Sequence, residues 1–205
     1  MLRRHVVSFI SCVLALSWFS SAVAAPAVGQ PAPDFNLVST DGKSVHLSDF
    51  RGKHVVLEWT NPGCPFVRKH YGAGNMQAVQ QEAAAKGVVW LAINSTETGS
   101  VDYLKPASLA TWLVRHKATQ TAILMDEEGL VGKAYGARTT PHMYIVGPQG
   151  TLLYAGGIDS IPSAKVDDIK IAINYVRQGL TEALTGRAIS VPVTQPYGCS
   201  VKYKS

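Results

Sequence analysis

Cysteine is scarce in this 205-residue chain, with Cys12, Cys64 and Cys199 the full set. That excludes a disulfide-built scaffold, so the fold has to rest on a hydrophobic core. Acidic residues are few as well, 14 against 19 Lys and Arg. The positive excess is scattered rather than gathered into a stripe, which leaves nucleic-acid binding without an electrostatic footprint. Beyond the first two dozen residues, no apolar run approaches the roughly 20 residues of a membrane-spanning helix. Internal repeats, low-complexity tracts and linkers are also lacking, and the length suits one domain.

What is present begins with Arg3 and Arg4, an apolar stretch from His5 to Val23, and the small-residue pattern Ala22-Val23-Ala24. This reads as a signal peptide, residues 1–24, cleaved to leave a mature chain from Ala25. Export carries Cys12 away and leaves Cys64 and Cys199, an even pair in an oxidising compartment. Such a pair is either a reversible redox couple or a permanent staple.

Along the mature chain, Phe35–Val38 and Ser44–Leu47 flank Asp41-Gly42 and predict a hairpin. His54–Thr60 and Val88–Asn94 read as buried strands. Between them Cys64-Pro65 opens a helix that Gly72 and Gly74 break, with Asn75 capping a second piece. Pro106–His116 has helical spacing, Thr121–Met125 is a strand, and Leu130–Tyr135 a short helix. Met143–Val146 and Thr151–Tyr154 form a hairpin, and Val166, Ile169, Ile173, Val176, Leu180 and Leu184 predict one long helix from Ser163 to Leu184. The order implies an α/β sandwich with parallel central strands and an antiparallel last pair.

Several motifs carry a resemblance: Ala32-Pro33-Asp34-Phe35, Asp41-Gly42-Lys43, Leu47-Ser48-Asp49, Gly52-Lys53 with Val55-Val56-Leu57, Trp59 through Phe66, and Thr140-Pro141 before Tyr144-Ile145-Val146. Together they resemble the alkyl hydroperoxide reductase and thiol-specific antioxidant redoxins of the thioredoxin superfamily, and the tail from Thr194 to Ser200 resembles endings in a peroxiredoxin-like branch. The resemblance implies a three-layer sandwich with a mixed central sheet and an N-terminal β-hairpin. It gives a redoxin domain over 25–187 and a tail over 188–205 that carries Cys199. It also implies a cis-proline at Pro141 against Cys64, the backbone of Thr140 being free to pair with an incoming peptide.

The chemistry centres on Cys64, which the pattern places as the cap of a helix opened by Pro65; the unpaired N–H groups there favour a thiolate. Two registers remain open. Cys64-Pro65-Phe66-Val67 stands for Cys-x-x-Cys with Val67 replacing the second cysteine, or Asn61 replaces the first cysteine or threonine of Asn61-Pro62-Gly63-Cys64. Pro65 favours the former. Cys199 is the available resolving thiol, and Arg138 a candidate for steadying a thiolate or a peroxide oxygen. Arg68, Lys69 and His70 read as a solvated face, and Glu58 as either a buried proton acceptor or an edge residue.

The expected function is an exported thiol oxidoreductase needing no cofactor. It would act on protein disulfides or peroxides and take electrons from an external dithiol. The alternative is a redox-inert binding module with a structural Cys64–Cys199 bridge, or a copper chaperone assembling His70, Met76, His142 and Met143 with Cys64.

Overall fold

The computed structural model describes residues 25–204; the expected signal peptide lies outside the described residues. Elements in chain order are β1 (Asn36–Ser39), β2 (Ser44–His46), β3 (Val55–Trp59), α1 (Pro65–Gly72), α2 (Asn75–Ala84), β4 (Val89–Asn94), α3 (Pro106–Arg115), β5 (Ala122–Met125), α4 (Leu130–Tyr135), β6 (Thr139–Thr140), β7 (His142–Val146), β8 (Leu152–Gly156), α5 (Tyr175–Leu184) and β9 (Cys199–Ser200). Seven strands form one mixed sheet in the order β2-β1-β5-β4-β3-β7-β8. Its centre, β3, β4 and β5, is parallel, whereas β7 runs antiparallel to both β3 and β8.

The near-continuous apolar order of β3 follows from its being covered on both faces. Val56 turns towards α1, α2, α3 and α5, where Val67, Tyr71, Met76, Val79, Leu109, Leu113, Val176 and Leu180 fill one core. Val55, Leu57 and Trp59 turn the other way, against Phe35, Leu47, Leu91, Tyr135 and Tyr144. These are the three layers that the resemblance implies. Among the described residues, no helix is long and apolar enough to cross a membrane.

Two expectations fail locally. The long helix from Ser163 is broken: Val166–Lys170 is a 3₁₀ turn, and α5 starts only after Asn174, whose side chain accepts from Arg177 N at 2.9 Å. Ile173 bonds across to Ser160 and Tyr175 N to Ile158 O instead of continuing a helix from Val166. Val166, Ile171 and Ile173 are 51%, 76% and 56% exposed, so the first half of the helical period had no surface to cover. The second failure concerns Asn75, which begins α2 while Gly74, at φ +74°, is the cap. The left-handed backbone that reverses the chain between α1 and α2 needs glycine, and it frees the Asn75 amide to meet His70 Nδ1 at 2.8 Å.

Candidate active site

Chain direction at the C-terminal ends of β3 and β4 creates the site. Past Trp59, Asn61 organises the turn: its Oδ1 accepts from Gly63 N at 2.7 Å, and its Nδ2 donates to Thr96 Oγ1 at 2.7 Å. Cys64 N then donates to Asn61 O at 3.0 Å, and Cys64 is the cap of α1 with Pro65 in its first turn. A proline there costs no hydrogen bond, since that N–H has no partner within the helix. The helix start thus selects the register in which Val67 stands where a second cysteine would be.

Pro141 follows Thr140 through a cis peptide bond, as the resemblance implied. The carbonyl of Thr140 accepts the Cys64 thiol at 2.9 Å. On the other side of Thr140 lies the tail. β9 pairs antiparallel with β6, with Thr140 opposite Cys199, and Cys199 N donates to Cys64 Sγ at 3.4 Å. Both cysteines are free thiols. Cys64 is only 2% exposed, while Cys199 is half-buried.

Burial pushes the Cys64 thiol up, but hydrogen bonds from the Cys199 and Thr140 side chains and from the N–H groups of Val67 and Cys199 outweigh it, and its pKa falls below the ordinary value. Cys199 moves the other way, to about 12, through burial, its hydrogen bond to Cys64 and the charge that Cys64 takes on. Of the two sulfurs, Cys64 therefore ionises first and Cys199 keeps its proton. A cavity of about 70 Å³ opens onto the pair, with Asp102 and Lys202 on its wall.

Cys64, Cys199, Thr140, Pro141 and Asn61 come together. Arg138 does not join them: it lines a separate groove with His142, Tyr144 and Tyr203 of the tail, and its carbonyl accepts from Val201 N. Glu58 is fully buried rather than at an edge, accepting from Tyr71 Oη and Trp90 Nε1, both at 2.8 Å. Burial pushes its carboxyl up. None of these partners lines the Cys64 cavity.

Of the charge run after Cys64, Arg68 is exposed as a solvated face requires, but its two neighbours are not. Lys69 and His70 are buried with Asp159, whose Oδ2 lies 3.8 Å from Lys69 Nζ; Tyr197 of the tail donates to Asp159 Oδ1 at 2.5 Å. The copper arrangement is not formed either. His142 and Met143 alternate on β7, so His142 faces the core of Tyr144 while Met143 joins the opposite core with Met76. Among the described residues, no cluster of three His, Cys, Asp or Glu side chains could hold a metal ion.

No local motif marks Thr96, Asp102 or Lys202, which reach the site from loops distant in the chain. Gly63 is an indirect signal, since a Cβ there would stand 2.9 Å from Asp102 Oδ1. Gly198 is a direct one. Its φ is +136°, and a Cβ would fall 2.0 Å from Thr140 O, a backbone atom that cannot yield. Gly198→Ala is accordingly expected to lift β9 off β6, at a cost of about 1–3 kcal/mol. It should also raise the alkylation rate of Cys64 at least tenfold. Denaturant midpoints and timed iodoacetamide labelling check both, and a Cys64 that stays protected would contradict this packing.

A parallel-centred sheet with a cysteine capping α1 beside a cis-proline defines a thioredoxin-like protein. The AhpC/TSA family profile matches residues 28–155, more than half of the chain, and the protein belongs to that family, a redoxin of the thioredoxin superfamily. Among curated relatives, the chain is 22% identical over 155 residues to thiol-disulfide oxidoreductase ResA of Bacillus subtilis, covering 74% of this chain and 81% of the relative. Among solved structures, an uncharacterized conserved protein from Geobacillus kaustophilus superposes with a TM-score of 0.72 at 28% identity, over 87% of this chain and 93% of that one. A putative thiol:disulfide interchange protein DsbE from Chlorobium tepidum gives 0.52 at 26% identity, over 63% and 84%.

Proposed function

We propose that this chain is an exported thiol-disulfide oxidoreductase whose working couple is Cys64 and Cys199. The observation that carries the reading is the 3.4 Å approach of Cys199 N to Cys64 Sγ, held by the Thr140–Cys199 strand register. The Cys64 thiolate attacks one sulfur of a disulfide, and the other sulfur leaves as a thiolate. Cys199 gives up its proton and attacks the Cys64 sulfur of the mixed disulfide; the bond from Cys64 to the substrate breaks, the substrate's remaining sulfur leaves as a thiolate that takes up that proton, and a Cys64–Cys199 bond closes. The relatives named for disulfide exchange support this reaction class, and the N-terminal segment supports export.

A second oxidant has its own supporting observation. The cavity over the sulfurs is about 70 Å³, which suits a peroxide better than a folded protein. Peroxide would oxidise Cys64 to a sulfenic acid, and Cys199 would condense with it, releasing water.

The test uses the reduced mature chain with oxidised glutathione or hydrogen peroxide, counting thiols as substrate is consumed. Wild type is expected to lose two thiols and to turn over when a dithiol is supplied. Cys199→Ser should stop after one equivalent of glutathione, with the adduct on Cys64. Unimpaired turnover in Cys199→Ser would remove Cys199 from its resolving role. A Cys64–Cys199 bridge that strong dithiols do not open would make it a staple.

A further inference from the structure

The peptide-pairing edge beside the nucleophile is occupied by the chain's own tail. An open strand edge can take an extended peptide by strand addition. Here β9 already fills it, and Gly198 packs against the Thr140 carbonyl without room for a methyl group.

The tail is also tied on both sides of that contact. Before it, Tyr197 donates to buried Asp159 and packs edge-on against Phe66, with ring centroids 5.7 Å apart. After it, Val201 N donates to Arg138 O at 3.0 Å, Glu97 N to Lys202 O at 2.8 Å, and Tyr203 Oη to Ala137 O at 2.7 Å. An incoming macromolecule thus meets the outer side of the strap, and the half-buried cysteine it finds there is Cys199. Cys64 lies underneath.

Resting on the oxidoreductase reading above, we propose that Cys199 is the port through which the reducing partner, a dithiol protein, exchanges electrons with the site. Small oxidants reach Cys64 through the cavity. In the reductive step the donor's thiolate attacks Cys199 Sγ, the Cys64–Cys199 bond breaks, and Cys64 leaves as a thiolate carrying the electron pair. The donor's second thiolate then attacks the donor sulfur of the mixed disulfide. Cys199 is released and takes a proton from water, and the donor departs oxidised by two electrons.

The order of ionisation agrees with this direction. The sulfur that leaves most readily is the one with the lower pKa, which is Cys64, and the N–H of Cys199 is in place to receive its charge. The built-in strand does for Cys199 what binding would do for an external thiol. It converts the closing step into an intramolecular one at high effective concentration.

The test starts from the oxidised full-length mature chain. If no Cys64–Cys199 bond is found by peptide mapping, the oxidoreductase reading itself fails, a result distinct from those that follow. Given the bond, a brief pulse of reduced glutathione is quenched with N-ethylmaleimide and the adducts are mapped. Glutathione on Cys199 and maleimide on Cys64, in at least tenfold excess over the reverse, is the expected result.

A thioredoxin carrying serine in place of its second active-site cysteine gives a slower-decaying complex, expected to be linked through Cys199. Adducts mainly on Cys64 overturn the proposal, as does a bond that neither probe opens. In Gly198→Ala, where the strap is lifted, the preference for Cys199 should fall at least threefold; an unchanged preference would mean that the strap does not set the port, and would overturn it as well.

Discussion

Cys64→Ser is expected to reduce turnover with either a disulfide or a peroxide by roughly three orders of magnitude or more, while the protein stays folded. The two halves of that statement have separate physical grounds. A serine hydroxyl does not ionise near neutral pH, so the N–H groups of Val67 and Cys199 that favour the Cys64 thiolate would have no anion to stabilise.

The fold, by contrast, has little to lose. Serine is among the best helix caps, its hydroxyl can donate to the Thr140 carbonyl as the thiol does, and the substitution changes volume very little. A thermal midpoint within a few degrees of wild type, alongside lost thiol chemistry, is the expected pair of results. Residual activity above about 1% of wild type would move the chemistry to another group.

Cys64 was legible because its signal is local. A buried strand, a cysteine and a proline in sequence place a thiol on a helix start with no tertiary information, and Thr140-Pro141 before a strand is similarly compact. The near-continuous apolar runs of β3 and β4 are legible for the same reason. What stayed hidden depends on partners far apart in the chain. β9 is two residues long and exists only because Thr139 and Thr140 lie opposite it.

The charge run at Lys69 and His70 illustrates the same limit. It has the composition of a solvated face, and only the arrival of Asp159 and Tyr197 from the far end of the chain satisfies it in the interior. The error in the long helix is the reverse case. Its apolar spacing up to Ile173 is helical, but periodicity says which residues share a face and not whether anything packs on it. The Asn174 cap, a local alternative to helical continuation, was the competing signal.

Acid is expected to destabilise this protein earlier than carboxylate protonation alone would, and two histidines set the window. Burial holds His70 at about 4, although Asp159 draws it up and Lys69 draws it down. Burial also holds His142 at about 3, with Arg138 adding to the depression. Both pKa values lie below the 6.5 of an unfolded histidine, so between them the unfolded chain binds protons that the folded chain does not.

Stability is therefore complete above pH 6.5 and is lost as pH falls, down to about 4 for His70 and about 3 for His142. Each contributes about 1.4 kcal/mol per pH unit within its window. Glu58 works in the opposite sense. Its raised carboxyl pKa contributes stability below 4.5 that is lost as pH rises, so acidification returns part of the loss.

The hydrogen bonds say what protonation disturbs. His70 Nδ1 receives the Asn75 amide at 2.8 Å and Nε2 faces Tyr197 Oη at 3.2 Å, so a neutral ring carrying its proton on Nε2 fits both neighbours. A second proton, on Nδ1, would oppose the Asn75 donor and loosen the anchor of the tail that carries Cys199. Guanidinium unfolding at intervals from pH 7.5 to 4.5 should show a midpoint that falls steadily below 6.5. His70→Gln retains a donor at the Nε2 position, His142→Asn retains an acceptor at Nδ1, and together they should flatten most of that slope. A slope of the same size in the double variant would place the acid sensitivity elsewhere.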